Sequence, residues 1–332
     1  MDASFLLTEF LGKPGWMWLA FVAIVFALLA FDLGVLHRRS HEIGVRESLA
    51  MSAFYILLGL LFGAWVWWHL GHESGVAYLT GFVVEKALAM DNVFVIAMIF
   101  AYFSIPRAYQ HRVLFWGILG VVVLRAIMIG LGAAVVAQAN WVLYVFAAFL
   151  IATGIKLIVA SGKQHDLGSN PALRWMKRRF NVTEDLQGQR FFVRRTDAQG
   201  RRALFVTPLF LALVMIEAAD LVFAVDSVPA IFAITTDPFL VYTSNIFAIL
   251  GLRALYFALA AVMDRFQYLK FALAAVLVFI GSKIIAADAL GLAKIPPLLS
   301  LGVTFALLGA GVAYSLWKTR RAGARAGSAR GA

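Results

Sequence analysis

The chain has 332 residues, 62% of them hydrophobic and only 14% charged, with a formal net charge of +11 and no cysteine. Apolar stretches of about 20 residues, the length of a membrane crossing, follow one another almost end to end, which excludes an ordinary soluble enzyme and indicates a polytopic membrane protein. Without cysteine there is neither a disulfide nor a thiolate metal ligand. The basic surplus collects beside the apolar stretches, where it sets orientation rather than marking a nucleic-acid surface.

Nine spans are expected, near residues 16–36, 49–70, 77–104, 112–136, 141–160, 205–234, 239–263, 268–286 and 298–317, giving an all-α polytopic membrane protein. The first lacks a basic leader and a small-residue cleavage site and carries Asp32 near its end, so it reads as a retained helix. Spans one and two fall in residues 1–76, a first three-helix unit in 77–160, a second in 203–286, and the last span in 287–317. The segment 161–202 is too short to hold its own core. Alternation in Arg190–Arg195 and Arg201–Val206, around the turn-rich Thr196–Gly200, suggests a β-hairpin there; the other reading is a basic loop lying on anionic lipid. The Ala-, Gly- and Arg-rich tail after Lys318, residues 318–332, reads as disordered.

Loop charges alternate. Arg38, Arg39 and Arg46 follow the first span, Arg107 and Arg112 the third, and ten Lys or Arg lie between Gly162 and Ala203, whereas Lys294 is the one Lys or Arg in the intervening loops. The basic loops and the tail belong in the cytoplasm, which puts the N-terminus outside. One pattern is duplicated: Asp91-Asn92-Val93-Phe94 in the third span and Asp220-Leu221-Val222-Phe223 in the sixth. From Asp91 it is 34 residues to Arg125 and 31 more to Lys156; from Asp220 it is 33 to Arg253 and 30 more to Lys283. A repeat unit of three spans must cross the membrane in opposite senses in its two copies, so the repeat is expected to be inverted, with a site near the bilayer midplane.

A charge at the centre of a membrane helix costs about 3 kcal/mol on insertion scales unless it finds a partner. Glu85 and Asn92 are seven apart and share a helix face, with Asp91 about 100° away. Glu217 and Asp220 are neighbours one turn apart. Asp226 points elsewhere on a straight helix, and Pro229 offers a kink that would turn Asp226 and backbone carbonyls toward the same cavity. This oxygen set, with all six His at loops or span ends, suits Mn²⁺, Mg²⁺ or Ca²⁺ better than Zn²⁺ or Cu⁺. The candidate ligands are therefore Glu85, Asp91, Asn92, Glu217, Asp220 and Asp226, with Met90 and Met215 nearby as packing residues. Arg125 and Arg253 are expected to neutralise acids on adjacent spans and Lys156 and Lys283 to snorkel toward the interfaces, while Asp32 lines the cavity or ends its helix. Ser227, Ser244 and Asn245 read as small polar residues that glue helices together.

The segments Glu85–Val95 (EKALAMDNVFV), Glu217–Thr235 (EAADLVFAVDSVPAIFAIT) and Ser244–Phe257 (SNIFAILGLRALYF) resemble the signature segments of the TerC family, its Alx-type branch in particular. The resemblance covers most of the chain, including Phe31-Asp32-Leu33-Gly34 and the Phe-Phe-Val-Arg loop. It implies a multi-pass bacterial inner-membrane protein of the LysE-like transporter grouping, linked to tellurium resistance by name and to manganese ion export by function. It also implies that Glu85, Asp91 and Asn92 in one half, and Glu217, Asp220 and Asp226 in the other, are the acidic-motif positions. The expectation is an exporter of a divalent cation, Mn²⁺ first, with the two halves rocking about a midplane site and protons as counter-ion. No enzyme activity and no permanently bound cofactor are expected; the partners are the metal ion and membrane lipid, without nucleic acid. The alternative is a membrane anchor in a tellurite or metal stress-response assembly, recruiting partners through its basic loop and tail. Direct tellurite transport at Arg125 and Arg253 is opposed by the surplus of carboxylates, which would repel an oxyanion.

Overall fold

Apolar stretches in hydrocarbon fold as helices because an unpaired peptide group finds no partner there. The computed structural model describes residues 8–34, 44–139, 141–159, 171–196, 202–260, 269–289 and 295–330; the side chains of Asp32, Asp91 and Asp226 are among those outside the described set. A two-residue hairpin, β1 (Glu9–Phe10) and β2 (Lys13–Pro14), precedes α1 (Gly15–Gly34). Then come α2 (Val45–Leu70), α3 (His72–Tyr102), α4 (Arg107–Gln138) and α5 (Val142–Val159). A short helix α6 (Pro171–Arg179) and an antiparallel pair, β3 (Phe192–Thr196) and β4 (Arg202–Val206), lead into α7 (Pro208–Phe232), α8 (Pro238–Leu250), α9 (Leu252–Ala260), α10 (Leu269–Ala289) and α11 (Pro297–Arg330).

Among the described residues six helices are long and apolar enough to cross a membrane: Arg46–Leu70, Arg107–Gln138, Val142–Val159, Pro208–Phe232, Pro238–Ala258 and Pro297–Thr319. Gly15–Phe31 is apolar but shorter, and the expected third and eighth spans coincide with α3 and α10. The hairpin expected before the sixth span is present, with Phe192 opposite Val206 and Thr196 opposite Arg202.

Two expectations are corrected. Pro229 does not break its helix: it removes one hydrogen bond, to the carbonyl of Val225, and α7 runs on to Phe232. The interruption falls instead in the next span, at Gly251 between α8 and α9. The stretch after Lys318 continues α11 as helix to Arg330, in keeping with the high helix propensity of Ala and Arg.

α8 lies at the centre. Asp237 caps its N-terminus, accepting a bond from the Phe239 amide at 2.9 Å, and Pro238 occupies the first helical position, where a missing N–H costs nothing. Lys13 holds the other Asp237 oxygen at 2.9 Å. From Phe239 to Leu250 nearly every α8 residue is buried, as a helix that is apolar all round requires. It packs on α2, α3 and α4. α2 and α3 approach closely because Gly59 and Gly63 leave room for aromatic rings: a Cβ on Gly59 would sit 2.5 Å from the Phe82 ring, and one on Gly63 2.8 Å from the Tyr78 ring. The Tyr78 hydroxyl donates to the Gly59 carbonyl at 3.0 Å.

The contact between α5 and α10 is reciprocal. A Cβ on Gly154 of α5 would meet the Ala274 carbonyl at 2.7 Å and the Val278 side chain at 2.7 Å; a Cβ on Gly281 of α10 would meet the Ala147 carbonyl at 2.6 Å and Ile151 at 2.9 Å. Gly154 and Gly281 are 127 residues apart, as are Ala147 and Ala274, Ile151 and Val278, and Lys156 and Lys283. Low numbers on one helix face high numbers on the other, so the two run antiparallel and exchange equivalent contacts, as a local two-fold axis would arrange them.

Candidate functional site: a buried ionic cluster

Arg125 on α4 is 1% exposed and points at four other side chains. Its Nη1 donates to Glu85 Oε1 on α3, to Ser227 Oγ on α7 at 2.6 Å and to Asn245 Oδ1 on α8 at 3.4 Å. Its Nη2 and Nε fork onto Asp220 of α7, reaching Oδ1 at 3.2 Å and Oδ2 at 3.3 Å. Such a two-pronged guanidinium–carboxylate pair is strong and orientationally demanding. Asn245 Nδ2 returns to Glu85 Oε2 at 3.0 Å, and Asn92 Nδ2 reaches Asp220 Oδ1 at 3.4 Å. Every member is buried: Glu85 is 2% exposed, Asp220 and Asn92 5%, Ser227 1% and Asn245 0%. Four helices thus close one polar knot in an apolar interior, with two from each expected repeat.

Glu217 is the exception. It lies one turn before Asp220 on α7, partly buried, and no described partner reaches its enclosed Oε2. Its carboxylate rests where α4 has no side chain: a Cβ on Gly120 would fall 2.2 Å from Glu217 Oε1. The far end of a flexible side chain can yield where backbone cannot. Gly120→Ala is therefore expected to change melting in detergent by no more than about 1 kcal/mol while altering carbodiimide labelling of Glu217, read by mass spectrometry. A large melting loss with unchanged labelling would refute that placement.

Beside the knot lies a small cavity of about 40 Å³, lined by Asn92, Arg125, Thr153, Ser227 and apolar side chains including Leu88 and Phe223. That is room for an occupant of roughly water size, with polar partners to hold it. Lys86, next to Glu85, turns away from the knot and donates to the Ala248 carbonyl at 2.9 Å, near the end of α8. Gly251 makes space for it, since a Cβ there would lie 3.0 Å from Lys86 Nζ.

Of the sequence candidates, Glu85, Asn92 and Asp220 come together with Arg125, and Glu217 is adjacent to them in the chain. Asp91 and Asp226, with Asp32, have side chains outside the described residues. Arg253 is 2% exposed on α9. Lys156 is exposed in the last turn of α5, and Lys283 reaches Ser300 of α11 at 3.4 Å. Among the described residues no three Asp, Glu, His or Cys side chains gather as metal ligands; a guanidinium stands between the acids instead. Ser227 and Asn245, read from sequence as helix glue, belong to the knot itself.

A polytopic membrane chain with buried charges shared between its halves is the class that fold and site define. The family model described as "Integral membrane protein TerC family" matches residues 70–323, and the chain belongs to that family. It is 49% identical over 311 residues to the membrane protein STKORF319 of Myxococcus xanthus, covering 94% of this chain and 95% of that one. It is 47% identical over 299 residues to a membrane protein of Rickettsia bellii, covering 90% and 96% of the two chains. To the Escherichia coli K12 protein named "Putative membrane-bound redox modulator Alx" it is 46% identical over 301 residues, covering 88% and 91%. No solved structure matches the chain.

Proposed function

We propose that this protein exports a divalent metal cation, Mn²⁺ first, through the buried site at Glu85, Asn92, Glu217 and Asp220, with Asp91 and Asp226 as further ligands. One observation carries the reading: two carboxylates and two side-chain amides, drawn from both halves of the chain, are held together in an apolar interior, where each ionised group is costly. The unpartnered Glu217 oxygen adds ligand capacity beside them. Hard oxygen donors of this kind favour Mn²⁺, Mg²⁺ or Ca²⁺. The reciprocal, antiparallel contact of α5 and α10 supports an inverted repeat, and with it nine crossings, an external N-terminus and halves that rock about the site. Carboxylates that release a metal can take up protons, so protons are the proposed counter-ion.

The test is total cellular manganese, by elemental analysis, in cells lacking their own exporters and grown under manganese load. Cells expressing this protein are expected to hold less manganese; cells expressing Glu85→Gln or Asp220→Asn at equal membrane abundance are expected to match the empty vector. Manganese that stays unchanged with the wild-type protein in the membrane removes the reading.

The relatives' name speaks of redox modulation. This chain has no cysteine, so thiol exchange by its own side chains is closed to it. The second reading, a membrane anchor for a stress-response assembly, is favoured by the outer face of α6. Leu173 and Met176 are buried there, while Arg174, Lys177, Arg178 and Arg179 are exposed, with Trp175 61% exposed. Replacing Lys177, Arg178 and Arg179 by Ser separates the readings. Export that persists favours the transporter; stress resistance lost with export intact favours the anchor.

A further inference from the structure

Resting on the transport reading above, we propose that the Arg125 guanidinium is the site's own tethered cation: it neutralises Glu85 and Asp220 between cargo ions, and the incoming divalent ion takes its place. The argument begins with the oxygens. Glu85 Oε1 and both oxygens of Asp220 accept guanidinium N–H groups, and Glu85 Oε2 accepts from Asn245. A divalent ion needs some of these same oxygens as direct ligands, at about 2.0–2.6 Å. The guanidinium competes with a metal ion for them, because its positive charge repels a second cation and its N–H groups hold the oxygens turned toward Arg125.

Charge balance makes the exchange reasonable. Glu85 and Asp220 with Arg125 leave the knot one unit negative. With the guanidinium withdrawn the pair carries two negative charges, which a divalent ion matches. Glu217 Oε2, which the guanidinium does not use, is one more oxygen available to the ion. Arg125 also has room to shift off the carboxylates, since on one side it lines the cavity of about 40 Å³ with Asn92, Thr153 and Ser227 rather than meeting packed atoms. A wholly packed guanidinium would have no such freedom.

The consequence for transport is specific. A carrier that must reset without cargo has to close its two halves around uncompensated carboxylates in a low-dielectric interior, which is expensive. With Arg125 tethered beside them the pair of carboxylates carries one net negative charge rather than two, which a single proton can cancel, so net export proceeds. Without it the site can still swap one metal ion for another, because it is always loaded when it moves.

The experiment uses full-length protein purified with Mn²⁺ present and reconstituted in liposomes, with Mn²⁺ as the probe in two assays: exchange, with Mn²⁺ on both sides and a tracer on one, and net flux into metal-free lumen. Wild type is expected to perform both. Arg125→Gln is expected to keep exchange, to lose net flux, and to bind Mn²⁺ at least about tenfold more tightly in detergent, because self-competition by the guanidinium is gone. Its melting temperature should rise more on Mn²⁺ addition than that of wild type. A merely structural arginine gives another pattern: folded Arg125→Gln loses exchange and net flux together, or keeps both, and either outcome overturns the proposal. If Arg125→Gln does not assemble, Arg125→Lys decides. Net flux retained with tighter Mn²⁺ binding supports the tether, and both fluxes reduced in equal proportion overturn it. Wild type that moves no Mn²⁺ in either assay overturns the transport reading and this inference with it.

Discussion

Arg125→Leu, made without added metal, is expected to destabilise the protein by about 3–5 kcal/mol, the range seen when one partner of a buried ion pair is removed. Two carboxylates, 2% and 5% exposed, would be left facing each other and a leucine. Ser227 and Asn245 would lose their link to the guanidinium at the same time. The measurement is the fraction of folded, monodisperse protein after heating in detergent. Combining Arg125→Leu with Glu85→Gln and Asp220→Asn should restore more than half of the loss, because removing every charge of a buried network costs far less than stranding some of them. Export should be absent in both variants. A triple variant no more stable than Arg125→Leu would mean that the arginine acts through its volume rather than its charge.

The second large effect is expected at the seam between α5 and α10. Gly154→Ala and Gly281→Ala each push a methyl group to within 2.7 and 2.6 Å of a backbone carbonyl on the opposite helix. Neither oxygen can move without its helix, so each substitution should cost about 1–3 kcal/mol. The two clashes lie in one interface, and separating the helices for one relieves part of the other. The double variant should therefore lose less than the sum of the singles, as a double-mutant cycle in melting free energy would show. Additive losses would mean that the helices yield locally at each glycine. Gly302 and Gly309 on α11, where a Cβ meets nothing within 4 Å, are the controls, and alanine there should be nearly silent.

The parts of the site that were legible in the sequence are those whose presence needs an excuse. Glu85, Asp220 and Arg125 stand out because a charge in an apolar stretch is costly, and their pairing follows from that cost. Asn92 follows from sharing a face with Glu85. Ser227 and Asn245 were visible but ambiguous, for a small polar residue in a membrane helix has two uses, and only the approach of chain positions 102 and 120 residues from Arg125 decides between them. Gly154 and Gly281 gave no sequence signal, since close approach is a property of two helices and not of one. The helix break was sought at Pro229 because proline lacks an N–H; α7 tolerates that single lost bond, and the chain interrupts itself at Gly251, where the Lys86 ammonium and the Tyr55 side chain crowd the space a Cβ would need. The hairpin before α7 was legible because its two-residue alternation lies outside the long apolar stretches.

The seam of α5 and α10 also bears on how the chain is made. Gly154 emerges from the ribosome 120 residues ahead of its partner Ala274, an interval of about 6–24 s at ordinary elongation rates. During that interval the notch on α5 is covered by lipid or by the insertion machinery, since the helix that fills it has not been synthesised. The first half therefore waits with the notch at Gly154 unfilled, and synthesis of α10 completes the seam from both sides. A ribosome that stalls before α10 would release a chain in which nothing fills the notch at Gly154.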